Sequence, residues 1–542
     1  MIDPLYMQQN SRGGEPRGSG VSPHAHPAQA SGADDPSISD SPRQRLGQGS
    51  PAARGRGLLI GALFLFLALR LPAQQVEPLT LARSIAIAQL RSPEAKIAQK
   101  AFASVHWGYK SFKASLLPSI RADFNTPGLL RSIRQITQPD GTIAFRQQNQ
   151  AFTSGTLSIS QQIAPTGGSI FLSSGLTRLD VFGTSGYRVY QATPMLIGFS
   201  QPLFSYNDLR WQNKIQPIQY QLAERRYLES LEDVAVSIAG KYFDVYIAQM
   251  SLENARFNLS VTDSVYTISE GRFKVGKIAE NDLLQTELAF LNAQVQVQRS
   301  EVSLQKAKLE LAITLGLQDP EGILVEQPEE LPLIQVNADS VLAEARRNRS
   351  DPLDFESRGL QAESNYAQAR ANARFNASLN ASFGLNNSDT SIVTSFQNLA
   401  EQQTASIGIG IPIFQWGKNR ADVQSAAVRR DQVQEQIRLD QRRFERDLRF
   451  EVMDFMQAQQ QLQLASKSDT IAQRRFDVAR NRYLIGKIDI TNLQIAQNEK
   501  DNARLSYMQA LRQYWVAYHQ LRRSALYDFV KGQRLEVPLV EF

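Results

Sequence analysis

Stepping by three and four residues from Leu231 meets Val234, Ile238, Val245, Ala248, Leu252, Ala255, Leu259 and Tyr266, with Lys241 and Thr262 as polar exceptions. That spacing is the apolar stripe of a helix, and no proline interrupts the chain between Ile218 and Ala312. From Asn207 to Gly276 it predicts a helix of roughly 100 Å at about 1.5 Å per residue. The same stripe recurs 210 residues later as Phe444, Leu448, Phe455, Ala458, Leu462, Ala465, Ala472 and Phe476, here broken by Gln441, Glu451 and Asp469. Elsewhere the period is two. Ala377, Leu379, Ala381, Phe383 and Leu385 alternate with Ser378, Asn380, Ser382, Gly384 and Asn386, and Ile407, Ile409, Ile411 and Ile413 alternate mainly with small residues. Ile120, Ala122 and Phe124 alternate with Arg121 and Asp123. Strands with one apolar and one polar or small face, about 9–11 residues long, are those of a membrane β-barrel.

Two motifs share one displacement. Ile197–Phe204 (IGFSQPLF) matches Ile407–Phe414 (IGIGIPIF), and Arg272–Ile278 (RFKVGKI) matches Arg482–Ile488 (RYLIGKI), each shifted by 210 residues. A common ruler between unlike motifs implies a duplicated unit, each copy reading strand, long helix, tip and returning helix. The predicted organisation is a first repeat over 74–316, with strands within 113–204 and a tip near 271–285. A linker over 317–337 follows, rich in Pro and Glu. The second repeat covers 338–526, with strands within 374–416 and a tip near 481–495, and a tail covers 527–542. Residues 125–150 and 387–403, rich in Asn, Gln, Thr and Ser, read as exposed loops. Thr153–Ile163 and Ile170–Leu179 form a hairpin about Pro165–Gly168 with no counterpart in the second half. Tyr206 and Trp416, again 210 apart, fall just past strand ends, where interfacial aromatics belong. Gly276 and Gly486 interrupt the helical stripes. Asp282–Gln285 (DLLQ) and Thr491–Gln494 (TNLQ), a few residues on, fit capping boxes that restart a helix.

The amino-terminal end has another character. Among residues 1–57, 24 are Gly, Pro or Ser, too little apolar surface to offset ordering entropy, so this leader reads as disordered or as a start site placed too early. Leu58–Leu69 is an apolar run of 12 behind Arg54 and Arg56. Residues 58–73 therefore read as a secretory signal peptide with a cut after Ala73, since 12 residues are too short to span a bilayer as a helix. The 542-residue chain has no Cys and only 4 His. That excludes disulfides, thiolate metal sites, a thiol nucleophile and lipidation at an amino-terminal Cys. A formal net charge of +6 over this length is too dilute to argue for nucleic acid. No Ser/His/Asp order, phosphate loop, His-Glu-x-x-His or paired-carboxylate site is present, so neither an enzyme nor a cofactor is expected.

With Leu79–Ala88 (LTLARSIAIA), Ser92-Pro93-Glu94, Ser200–Phe204 (SQPLF), the two Arg-aromatic-x-x-Gly-Lys-Ile tips and Ala307–Gly316 (AKLELAITLG) in this order, the sequence resembles the TolC-like outer-membrane factors over nearly all of 78–526. The resemblance implies a mostly α protein with membrane β structure. It implies a homotrimer whose four strands per chain close a twelve-stranded barrel in outer-membrane lipid, continuing into a periplasmic helical tunnel. It implies a passive exit duct of a tripartite efflux or type I secretion system, partnered by a periplasmic adaptor and an inner-membrane pump or ABC transporter. The alternative is a periplasmic structural coiled coil without a pore. By the same resemblance the tips at Gly276, Lys277, Gly486 and Lys487 are adaptor-docking positions, and Tyr483 and Asp282 stand where a hydrogen-bonded pair ties the resting tunnel shut. The acidic ring of some members falls here on Asn492 and Ile495, with Asp489 as a nearby substitute, and the arginine that helps the closing pair is Ile488.

Overall fold

A computed structural model describes residues 78–183, 186–320, 322–328 and 333–537. The leader and signal-peptide assignments on 1–73, and the last residues of the tail, lie outside the described residues.

The chain enters through two helices, α1 (Leu81–Arg91) and α2 (Pro93–Ser115). Thr80 caps α1 by accepting from the Arg83 amide, and Ser92 caps α2 by accepting from the Ala95 amide ahead of Pro93, the preferred residue types for these positions. Four strands follow: β1 (Ser119–Thr137), β2 (Ile143–Ile163), β3 (Gly168–Val181) and β4 (Tyr187–Leu203). The long helix α3 (Asp208–Lys274) turns into α4 (Glu280–Leu315). After the connecting segment come α5 (Ala338–Asn348), α6 (Asp351–Asn372), β5 (Asn376–Asp389), the single turn α7 (Ile392–Ser395) and β6 (Ala400–Gly410). Then α8 (Lys418–Leu484) and α9 (Ile490–Ala525) repeat the long-helix pair, and a small ribbon of β7 (Tyr527–Asp528) and β8 (Gln533–Arg534) follows. Helices α3 and α8 both have 67 residues and α4 and α9 both have 36; all four bounds are displaced by 210.

The six long strands form one antiparallel sheet in chain order, β1 to β6. Each chain therefore carries six strands, not the four that the resemblance implies, and three chains supply more than a twelve-stranded barrel holds. The expected loop at 125–150 is corrected too. β1 and β2 pair from Ser119↔Ser160 to Thr137↔Ile143, with a bulge between Asn125 and Gly128, leaving only 138–142 as a turn. Most of 387–403 is likewise ordered, as the end of β5, the α7 turn and the start of β6.

Packing follows the stripes. Leu231, Val234, Ile238, Tyr242, Phe243 and Val245 of α3 are buried with Leu81, Ala88, Phe102, Leu311 and Leu315 of α1, α2 and α4. A second core joins Val341 and Ala345 of α5 to Leu448 and Phe455 of α8 and Tyr514 and Leu521 of α9. The connecting segment lies on the first core: Leu79 bridges Val325, and the Tyr242 hydroxyl donates toward the carbonyls of Leu79 and Glu326 at 2.9 and 2.7 Å. No helix among the described residues is long and apolar enough to cross a membrane.

Candidate functional site

The sheet has two unlike faces. Register places Ile120, Leu157, Ile159, Ile170, Leu172, Ile197, Phe383, Ile407 and Ile409 on one of them. All are exposed, Ile120 at 72% and Ile407 at 67%. Opposite stand Arg121, Asp123, Thr156, Ser158, Ser160, Ser173, Ser378, Asn380, Ser382, Thr404 and Ser406. Side chains alternate across a strand, so the period-two pattern is translated directly into this division. A contiguous apolar face of this extent is not stable against water. Within the chain β1 and β6 each lack a second neighbour, leaving two open edges. On the polar face Phe171 lies over Gly198, where a Cβ would stand 2.2 Å from the ring.

At the far ends of the long helices are the two tips. Gly276 and Gly486 both have φ +72°. The amides of Gly276 and Lys277 donate to the carbonyls of Phe273 and Arg272, and those of Gly486 and Lys487 to the carbonyls of Tyr483 and Arg482. This is the Schellman closure, which needs a left-handed residue and therefore favours glycine. Gly276, Lys277, Gly486 and Lys487 are all exposed. The capping boxes are not where the spacing put them. α4 starts after Ala279, which makes no side-chain cap, so Asp282 lies inside the first turn. α9 starts after Asp489, whose carboxylate accepts from the amide and side chain of Asn492, both at 2.8 Å. Asp489 and Asn492 are thus paired with each other as the cap of α9.

Within one chain the tips are zipped by Val261 and Val265 of α3 against Phe476 and Tyr483 of α8 and Ile490 and Leu493 of α9. The Tyr483 hydroxyl is 3.1 Å from Ser269 Oγ, and among the described residues no hydrogen bond joins it to Asp282. The closing pair carried over from the resemblance is therefore not made inside the chain; the neighbour on the adjoining helix turn is Ser269. Arg272 lies over the Tyr483 ring at 5.4 Å and donates to the Leu484 carbonyl at 3.2 Å, and Gln285 reaches Gln494 at 3.2 Å.

Above the tip the α3–α9 seam is polar. Lys500, 3% exposed, donates toward Asn254 and Asn258 at 3.2 Å and faces Asp501 at 3.1 Å. Both asparagines in turn donate to Asp501, at 2.8 and 2.7 Å. The ammonium also sits between the Phe257 and Phe476 rings at 5.1 and 4.7 Å. Further along, Arg512 pairs with Asp244, Arg522 with Glu232 and Arg523 with Asp233. Sequence reading missed these residues. The available signal was a lysine one helical step after Ala496 on the buried stripe of α9. The interfacial aromatics differ from each other: Trp416 is 89% exposed against Phe414, whereas the Tyr206 hydroxyl is bound to Ser364 of α6 at 2.5 Å. No cluster among the described residues has the donors of a metal site.

A two-faced sheet continued by paired long helices is the fold of TolC-like outer-membrane channels. The sequence pattern of the outer membrane efflux protein family matches residues 157–317 and 341–525, and the chain belongs to that family, whose members are channels and not enzymes. Two solved structures show the same fold at low identity. The outer membrane protein VceC from Vibrio cholerae is 15% identical with a TM-score of 0.60, over 84% of this chain and 97% of that one. The CmeC outer membrane channel of Campylobacter jejuni is 15% identical with a TM-score of 0.60, over 82% and 85%. An uncharacterized protein of Haemophilus influenzae is 27% identical over 112 residues, 19% of this chain and a quarter of the relative's length.

Proposed function

We propose that this chain is one third of a passive export duct, a homotrimer whose sheets close into a single barrel in the outer membrane and whose helices line a periplasmic tunnel. The observation that carries this reading is the sheet with an exposed apolar face and two unpaired edges. In lipid an open edge leaves backbone groups without partners, each costing several kcal/mol (roughly, from transfer energies), so the edges of β1 and β6 must pair with other copies. β1 leaves the helical end and β6 returns to it, so β6 of one copy meets β1 of the next antiparallel, as barrel closure requires. Three copies then supply eighteen strands. The exposed stripes on α4 (Leu284, Leu288, Leu291, Val295) and α8 (Leu464, Ile471, Val478, continued by its C-cap Ile485) repeat every three, four or seven residues, the spacing of helices that expect neighbours.

In this reading substrates pass through the tube without reacting. A periplasmic adaptor docks on the exposed tips at Gly276–Lys277 and Gly486–Lys487, and an inner-membrane pump or ABC transporter supplies the energy. Tyr483, held by Ser269 and Arg272, keeps the tips together at rest, and Asp282 in the first turn of α4 faces a neighbouring copy. The test is outer-membrane fractionation followed by electrophoresis of unheated and heated samples, with electron microscopy of the purified assembly. Trimers that dissociate on heating and show a central hole are expected. A single-copy species in detergent, or a soluble periplasmic rod, overturns the reading.

A further inference from the structure

The apolar face of the sheet takes on positive charge toward the outer ends of β1–β4. One face, followed by register away from the helices, passes the rung Ile159–Leu172–Ile197, then Gly155–Leu176–Ala192, then Thr153–Arg178–Tyr190, then Ala151–Asp180–Arg188; Arg131 stands opposite Asn149 just beyond. Along β3 the apolar side chains stop at Leu176 and cations begin at Arg178. From Gly168, where β3 leaves its turn at the helical end, Arg178 is ten residues on. That is about 33 Å along a strand at about 3.3 Å per residue, or roughly 25 Å of height at a tilt near 40°, the height of an outer-membrane apolar band. The arginines therefore stand at headgroup level if the sheet crosses the membrane as proposed above.

Their charge is only partly answered. Asp180 accepts from Arg178 at 2.7 Å and from Arg188 at 2.6 Å, so two cations share one anion. Arg131 is exposed and has no acidic partner among the described residues. The other carboxylates on this face, Asp389 and Glu401, lie on β5 and β6, which confines the positive side to β1–β4. β1 and β2 also run on past β3 as a two-stranded arm, Arg131–Thr137 against Ile143–Asn149. Ile133 and Phe145 of the arm, and Leu129 just before it, are exposed on the face of Arg131. An isolated two-stranded hairpin is marginal in water, and apolar side chains interleaved with arginine suit a membrane interface.

We propose that the outward rim of β1–β4, formed by Arg131, Arg178 and Arg188, binds the phosphates of net-anionic headgroups in the surrounding lipid. The guanidinium forks take phosphate oxygens while Leu129, Ile133 and Phe145 rest among the upper acyl segments.

The test uses the full-length assembly in detergent, offered phosphatidylglycerol or phosphatidylcholine, with retained lipid read by native mass spectrometry. The wild type is expected to keep the anionic lipid preferentially, with the preference falling as salt is raised. Arg131→Gln/Arg188→Gln, which leaves the Arg178–Asp180 pair intact, is expected to lower the preference roughly tenfold or more, from about 1 kcal/mol per cation near an anionic surface. Equal retention of both lipids by the wild type, a preference insensitive to salt, or an unchanged preference in the variant overturns the proposal. Inorganic phosphate added alone should leave the lipid bound; complete displacement means a simple ion site and also overturns it. Channel formation by the wild type in planar bilayers reports the membrane reading separately.

Discussion

Tyr483 is 5% exposed, with its hydroxyl on Ser269 and its ring under Arg272. These contacts join α3 to α8 at the point where the tips would part. Tyr483→Phe removes one hydrogen bond and leaves Ser269 still donating to the Val265 carbonyl at 2.8 Å, so its effect on stability should be about 1 kcal/mol or less. Its effect on the resting state should be larger: higher conductance than wild type in planar bilayers, shared by Ser269→Ala and not increased in the double variant. Wild-type conductance in both single variants would remove Tyr483 from the gate. His519 makes a different prediction. It is 4% exposed, stacked on Trp515 and edge-on to Tyr518, and neither ring nitrogen has a hydrogen-bond partner among the described residues. Burial, helped by Arg522, lowers its pKa from 6.5 to about 3. Between those values the unfolded chain binds a proton that the folded chain does not, so stability falls as pH drops from 6.5 toward 3, by up to about 1.4 kcal/mol per unit. Glu232 and Glu451, raised by burial, act in the opposite sense. Comparing melting against pH in wild type and His519→Leu isolates the histidine: the variant should lose less stability on acidification, and parallel curves would refute the assignment.

Among the elements, the long helices were the most legible, because a stripe sustained from Leu231 to Tyr266 and a ruler of 210 residues leave little freedom in where they run. The tips were legible through Gly276 and Gly486, whose conformation no other residue adopts as readily. Their caps were not, because Thr491-x-x-Gln494 and Asp489-x-x-Asn492 overlap and both place an oxygen side chain three residues ahead of a polar one. Only the true start of α9 distinguishes them. The arm of β1 and β2 was illegible for a related reason. Residues 143–150 (IAFRQQNQ) show no two-faced alternation, because the arm projects beyond β3 and past the apolar band, where apolar and polar side chains share one face as Arg131 and Ile133 do. The Lys500 knot was visible only as a charge on a buried stripe. Its ammonium and the Asp501 carboxylate are mutually satisfied through Asn254 and Asn258, so removing one partner strands the other. Lys500→Met should destabilise by about 3–5 kcal/mol, and Lys500→Met/Asp501→Leu should recover much of that loss. Thermal unfolding of the two variants checks the sign of the difference.

At the scale of the whole molecule the decisive quantity is the number of strands. Six per chain, all hydrogen-bonded in sequence and carrying one continuous apolar face from Ile120 to Ile409, leave no strand that water or a helix covers instead of lipid. The trimer proposed above would close with eighteen strands where the resemblance implies twelve. Barrel diameter grows roughly linearly with strand number, and barrels of about 16–18 strands enclose an aqueous channel. The lumen at the membrane should therefore be about half as wide again as a twelve-stranded one, which leaves the narrowest point of the duct at the helical tips. Two measurements follow. Electron microscopy of the purified trimer should show the wider ring in cross-section at the sheet end. Because the chain has no native cysteine, single cysteines placed along the free edge of β1 and the free edge of β6 can be oxidised without background. Pairs at matching heights should link neighbouring chains into a covalent trimer, while either cysteine alone should not. If the β1 cysteines never link to β6 in an assembled, conducting trimer, the first two strands lie outside the barrel wall, and the narrower twelve-stranded closure is restored.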